Sequence, residues 1–163
     1  MLDRPALQTL TLTVNGTDHP VHAAPFASLA DTLRGGLGFT GTKIGCDAGD
    51  CGACTVLMDG AQVCACLVAT AQAEGRAITT IETQNPLVDR LRAAFLAQGA
   101  AQCGICTPGM IMAATDLLSR NPSPSRQEIE DGIGGVLCRC TGYVKIIEAI
   151  DAVARGINSF APV

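Results

Sequence analysis

The chain has 163 residues and nine cysteines, and eight of these fall into two groups whose spacing suits the holding of an inorganic centre. Cys46, Cys51 and Cys54 are spaced C-x4-C-x2-C, and Cys66 follows them. Three thiolates this close in sequence can converge on one small centre only if the backbone wraps tightly around it. Gly45, Gly49 and Gly52 are interleaved with the cysteines and allow that approach, including positive φ where a turn demands it. Backbone N–H groups then point at the sulfurs and offset their charge. The alternatives are a zinc site or unrelated buried cysteines, but zinc sites favour paired two-cysteine knuckles, and a glycine-laced trio fits them poorly.

The C-x4-C-x2-C…C spacing is that of plant-type ferredoxins, so a [2Fe–2S] cluster on Cys46, Cys51, Cys54 and Cys66 is expected. The second group is Cys103 and Cys106 (C-x2-C) with Cys138 and Cys140 (C-x-C). On spacing alone this set fits a second [2Fe–2S] cluster best, while a zinc site or a redox dithiol stays open. Each pair precedes an expected helix, and helix N-termini facing a common point offer a positive field to an anionic cluster.

Two kinds of element must position these cysteines. In the first half Leu10, Leu12 and Val14 alternate with threonines, the period of a half-buried strand. Asn15-Gly16 signals a hairpin that returns through Val21, and Asp59-Gly60 signals a second hairpin over Thr55–Val63. Ser28 with Asp31 resembles a capping box before a helix carrying Leu29 and Leu33, which Gly35 and Gly36 stop. A last strand is expected near Ile78–Ile81. The pattern is α+β rather than alternating βαβ.

From Asn85-Pro86 onward the chain reads as helical. Leu87, Leu91, Ala94 and Phe95 share one face, and Thr107-Pro108 is a cap-plus-proline start for a helix through Ile111, Ala114, Leu117 and Leu118. Ser125 and Glu128 form a capping box before Ile129 and Ile133, and a final helix carries Tyr143, Ile146, Ile147, Ile150 and Val153. Four short helices imply a small bundle. The boundary falls around Glu82–Pro86, which gives domains 1–82 and 83–163.

Composition excludes several classes. Net charge is −4 with the basic residues scattered, which argues against nucleic acid as a partner. No run approaches the roughly 18 apolar residues of a membrane helix. Met1–Leu10 lacks the basic and apolar segments of a secretory leader, so a reducing cytoplasm is expected, where cysteines serve as metal ligands rather than bridges. Mean hydropathy is +0.32 with 16% charged residues. Alanine and glycine richness explains those values as well as a surface buried against other subunits does.

Three segments together are highly specific: Cys46-Asp47-Ala48-Gly49-Asp50-Cys51-Gly52-Ala53-Cys54-Thr55-Val56, Gln102-Cys103-Gly104-Ile105-Cys106-Thr107-Pro108-Gly109, and Leu137-Cys138-Arg139-Cys140-Thr141-Gly142-Tyr143. In this order they resemble the iron–sulfur subunit of the xanthine oxidase family of molybdenum hydroxylases, and the resemblance runs from about Thr9 to Ala154. It implies a plant-type ferredoxin-like (β-grasp) domain followed by an all-α four-helix-bundle domain, each with a [2Fe–2S] cluster. It implies partners as well: a large molybdopterin subunit and a medium FAD subunit, assembled as a dimer of heterotrimers. Electrons then run from molybdenum through the C-terminal cluster and the N-terminal cluster to FAD or an external acceptor, while an N-heterocycle or aldehyde is hydroxylated elsewhere. The residues matching Gln102 and Cys140 lie against the pterin in relatives.

The chain departs from the family at three places. Cys64 stands where relatives usually carry a polar residue, and it is either a buried small side chain or a substitute for Cys66. Ile105 replaces a frequent Phe, and Val136 a common Asn. Gly36-Leu37-Gly38-Phe39-Thr40-Gly41 fits G-x-G-x-x-G but follows a helix instead of a strand, so it reads as loop geometry. Asn15-Gly16-Thr17 reads as a turn, His19 and His22 as surface strand residues, and Met110 and Met112 as bundle packing. No triad or acid pair suggests substrate chemistry on this chain.

Overall fold

The structure is a computed structural model and describes residues 6–157. The outer ends of the two expected domains, and the first part of the Met1–Leu10 segment, lie outside the described residues.

The first half is built on a mixed sheet. Its strands are β1 (Gln8–Val14), β2 (Thr17–Ala23), β3 (Thr55–Met58), β4 (Ala61–Cys64) and β5 (Ala77–Thr79), in spatial order β2-β1-β5-β3-β4. β1 and β5 run parallel, and the other pairings are antiparallel. Both hairpins close over two residues with positive φ, Asn15 (52°) with Gly16 (79°) and Asp59 (51°) with Gly60 (84°). That backbone matches the right-handed twist of the flanking strands, which is why the two dipeptides were readable as turns. Leu10, Leu12 and Val14 point inward and pack with Val21, Val56 and Ile78 against Leu29 and Leu33.

The helix over those two leucines is shorter than its spacing predicts. Ser28 caps it as expected, with the Asp31 N–H donating to Ser28 Oγ at 3.1 Å. The regular part, α1, covers only Leu29–Asp31, and the chain then widens into a π-type turn over Thr32–Gly36. Gly35 and Gly36 contribute no side chain to hold the tighter winding, so the Leu37 N–H reaches back to the Thr32 carbonyl. A short 3-10 turn, Thr70–Ala73, leads back to β5.

The second half is helical: α2 (Pro86–Ala97), α3 (Thr107–Arg120), α4 (Arg126–Ile133) and α5 (Val144–Ala154). Their inward residues form a core of their own, including Leu91, Phe95, Met110, Leu117, Ile129, Ile146 and Ile150. Met112 is also fully buried, outside that core. Asn85 and Ser125 cap α2 and α4 as read from the sequence. Two readings need correction. Thr107 lies inside α3, whose N-cap is Cys106, because Pro108 then occupies an early position where its missing N–H costs nothing. Tyr143 is not in α5 but caps it from a left-handed backbone, φ 68°. No described helix is long and apolar enough to cross a membrane.

The halves are joined by packing and by one buried carboxylate. Gly52 lies so close to the Gly135 backbone that a methyl group on it would come within 2.1 Å of the Gly135 oxygen. A methyl group on Gly109 would likewise meet the Gly52 carbonyl at 2.6 Å. Farther along α3, Asp116 accepts from Arg120 Nε and Nη2, both at 2.8 Å, and from Gln62 Nε2 of β4 at 2.7 Å. The Arg120 guanidinium, helped by Gln62, holds the Asp116 carboxyl below the usual carboxylate range. A group with a depressed folded pKa stabilises above its unfolded pKa, and that contribution is lost as pH falls through the folded value. The difference in thermal midpoint between the wild type and Asp116→Asn is therefore expected to be largest near neutrality and to shrink below about pH 4. A scan of midpoint against pH checks this, and a constant difference down to pH 3 contradicts it.

Candidate metal centres

The first quartet comes from two places. Cys46, Cys51 and Cys54 lie on the loop before β3, and Cys66 lies just after β4, so the β3–β4 hairpin returns the fourth sulfur to the other three. Asp47 (φ 55°), Gly49 (80°) and Gly52 (65°) carry the left-handed turns that curl the loop. A Cβ on Gly45 would lie 2.8 Å from Cys51 Sγ, so this position has room for a sulfur only because it has no side chain. Cys46 Sγ accepts from the Ala48 and Cys51 N–H groups, each at 3.4 Å. Those amides bring the Cys46 thiol down to about 7. Cys54 is buried, which raises its pKa, and burial together with a hydrogen bond shared with Cys54 pushes Cys66 up to about 11.

The second quartet joins the turn before α3 to the loop before α5. Cys103 and Cys140 are exposed, with their sulfurs 3.5 Å apart. Cys106 and Cys138 are buried and hydrogen-bonded to each other, and burial followed by that bond pushes Cys106 up to about 12. Burial works to raise Cys138 as well, but donors from Thr141 and neighbouring amides outweigh it and leave the thiol lowered. The Thr141 hydroxyl donates to Cys138 Sγ at 3.1 Å. An amide at Ile105 lowers Cys103. Cys140 is raised by the hydrogen bond it shares with Cys103.

In both places the sulfurs meet two by two: Cys46 with Cys51, Cys54 with Cys66, Cys103 with Cys140, and Cys106 with Cys138. Among the described residues, no three His, Cys, Asp or Glu side chains converge on a single ion-sized point. Two sulfurs at each end suit a two-iron core with a pair per iron. Thr107 Oγ1, next to Cys106, is buried without a partner. The donor sets fit two [2Fe–2S] groups.

The quartets are joined through the backbone. The Leu137 N–H, one residue before Cys138, donates to the Cys51 carbonyl at 2.8 Å. A segment carrying cysteines of one quartet is thus hydrogen-bonded to a segment carrying cysteines of the other.

The two halves match two domain families, "2Fe-2S iron-sulfur cluster binding domain" over residues 12–81 and "[2Fe-2S] binding domain" over residues 77–151. The chain is 42% identical over 146 residues to the xanthine dehydrogenase iron-sulfur-binding subunit of Escherichia coli O157:H7, covering 87% of this chain and 91% of that one. It is 48% identical to the nicotine 6-hydroxylase small subunit of Paenarthrobacter nicotinovorans, with 84% of each chain covered. Its fold superposes on quinoline 2-oxidoreductase of Pseudomonas putida 86 with a TM-score of 0.85 and 43% identity, covering 94% of this chain and 99% of that chain. The chain belongs to the iron–sulfur subunits of the xanthine oxidase family of molybdenum hydroxylases. It is the electron-transfer subunit of a multi-subunit oxidoreductase, with a ferredoxin-like domain and a helical domain.

For this iron–sulfur subunit the remaining candidate residues are also placed. Gln102 is exposed beside Cys103. Cys64 lies against the first quartet, hydrogen-bonded to Cys54 and 3.8 Å from the Gly49 carbonyl. His22 is exposed and pairs with Thr9, whereas His19 stacks edge-on against Phe39. The sequence reading missed the contact made by Tyr143, whose hydroxyl accepts from the Cys138 N–H at 2.9 Å. The available signal was the chain's one tyrosine standing next to a cysteine pair.

Close contact at Gly52 yields a direct test. Gly52→Ala pays about 1–3 kcal/mol for a left-handed non-glycine backbone and also clashes with Gly135, while Gly75→Ala at φ 72° faces open space. The purified subunit complex is expected to lose more thermal stability with Gly52→Ala than with Gly75→Ala. Equal losses contradict a close contact between the halves at Gly52.

Proposed function

We propose that Cys46, Cys51, Cys54 and Cys66 hold the N-terminal cluster, and that Cys103, Cys106, Cys138 and Cys140 hold the C-terminal one. The observation that carries this is the meeting of eight sulfurs as four pairs, two pairs in each half. The domain limits 1–82 and 83–163, and a four-helix bundle for the second, belong to the same reading. They are supported by the separate cores of the two halves.

When bound, such clusters pass single electrons and so bridge a two-electron oxidation to a flavin or an external acceptor. The protein's share is to hold the sulfurs, aim amides at Cys46 and Cys103, and bury Cys54, Cys106 and Cys138 against the core of their own half. Backbone donors to ligand sulfurs and low solvent access are the levers that set potential.

The partners in this reading are a large molybdopterin subunit and a medium FAD subunit, in a dimer of heterotrimers in the cytoplasm. Gln102 and Cys140 face the pterin, which their exposure at the outer end of the second quartet supports. Exposed Ile105 and Leu137 flank that end and give it an apolar rim suited to a protein partner. The oxidised substrate is an N-heterocycle or an aldehyde. Relatives named for nicotine and quinoline support the former, and one named for aldehydes the latter.

A stand-alone two-cluster ferredoxin and a zinc-stabilised adaptor are the competing readings. The purified protein is expected to be brown, with about four irons and four labile sulfides per chain, and to co-purify with the two larger subunits. Cys103→Ser is expected to remove one of two iron–sulfur EPR signals, to halve the iron and to stop turnover. Retention of both signals by that variant defeats the ligand assignment, and a colourless zinc protein defeats the function.

A further inference from the structure

The two halves carry one quartet each, and their relative placement sets how far an electron must travel. Next to the quartets, the interface is bare backbone: Gly52 against Gly135, Gly109 against the Gly52 carbonyl, and the Leu137 N–H on the Cys51 carbonyl. Such contacts fix how closely the halves approach. Beyond them, α3 packs along β3 and β4.

A second point of attachment lies farther off. Gln62 stands on β4, opposite Leu57 in the hairpin that carries Cys66. Its Nε2 donates to Asp116 Oδ2 at 2.7 Å and to the Gly132 carbonyl at 3.4 Å. Asp116 is on α3, which starts at Cys106, and ten residues of helix put it about 15 Å along the axis from that ligand. Gly132 is on α4, which feeds the loop carrying Cys138. One amide therefore touches both helical segments that present the buried sulfurs of the second quartet. The Asp116 side chain is only 7% exposed, and its carboxylate is held in orientation by the two Arg120 bonds. A charge-assisted bond to a buried, pre-oriented carboxylate is among the stronger and more directional polar contacts.

We propose that Gln62 is a positioning residue that, through Asp116, locks the ferredoxin-like half to the helical half and so fixes the vector between the two clusters. The inference rests on the ligand assignment above. Its partners are on this chain, and it requires no contact between Gln62 and either cluster.

The test uses the assembled complex, reduced so that both clusters are paramagnetic, and reads the magnetic interaction between them as splitting of their EPR lines. Gln62→Leu removes the donor, and Gln62→Glu sets two carboxylates against each other. The double variant Gln62→Glu with Asp116→Asn restores one amide and one carboxylate with their places exchanged. The expected result is a wild-type splitting that is lost or altered in both single variants and regained in the exchanged pair, with iron content unchanged. A wild-type splitting retained by Gln62→Leu and Gln62→Glu overturns the proposal, as does a wild type with two signals but no interaction. Where the single variants fail to assemble, the exchanged pair decides: recovery of the splitting supports the latch, and failure to recover it overturns the latch. A wild type lacking two cluster signals defeats the ligand assignment instead, so the two failures are separable.

Discussion

Four thiolates brought together repel one another, and the rest of this fold can be understood from how that repulsion is relieved. A sulfur that must carry charge needs donors, and the cheapest donors near a tight loop are backbone amides. Cys46 receives two of them, and Cys138 has a threonine hydroxyl in addition to amides. Amides can turn inward only where the chain curls tightly, which explains the left-handed residues at Asp47, Gly49 and Gly52. Each quartet is also completed from a distant segment, by the β3–β4 hairpin in one case and by the run from α4 to α5 in the other. The secondary structure is thus largely a means of returning one or two sulfurs to a place the local loop has prepared.

The second requirement is proximity between the quartets. Side chains between them would add length, and beside the cysteines the halves approach through glycines and one peptide hydrogen bond, while α3 packs on β3 and β4 farther along. Each half nonetheless has an apolar core of its own. The buried Asp116 is the polar exception at this joint, and its satisfaction by both Arg120 and Gln62 is what makes a charge tolerable there.

Much of this was legible in the sequence, for physical reasons that differ by feature. The cysteine groups were readable because side chains that meet from one loop must keep fixed spacing, and the hairpins because Asn15-Gly16 and Asp59-Gly60 meet a backbone demand few other pairs meet. Ser28 and Ser125 announced their helices because capping is local. What lay hidden was either long-range or locally disfavoured. Gln62 and Asp116 are far apart in sequence and follow no periodicity, so nothing nearby marks them as partners. The joint at Gly52, Gly109 and Gly135 was hidden likewise, since a glycine needed for close approach looks like any other glycine. Tyr143 takes a left-handed backbone that its residue type disfavours, and only the Cys138 amide bonded to its hydroxyl shows why it is there. The π-type turn after α1 arose where two glycines left the winding undetermined.

The exposure of the outer sulfurs has a bearing on biogenesis. Cys103 and Cys140 open to solvent on one side of the helical half, and Cys46 does so on the ferredoxin-like half. Iron and sulfide can reach these sulfurs from solvent while both cores stay folded. If a larger subunit covers the Cys103–Cys140 rim, as proposed above, loading has to precede docking.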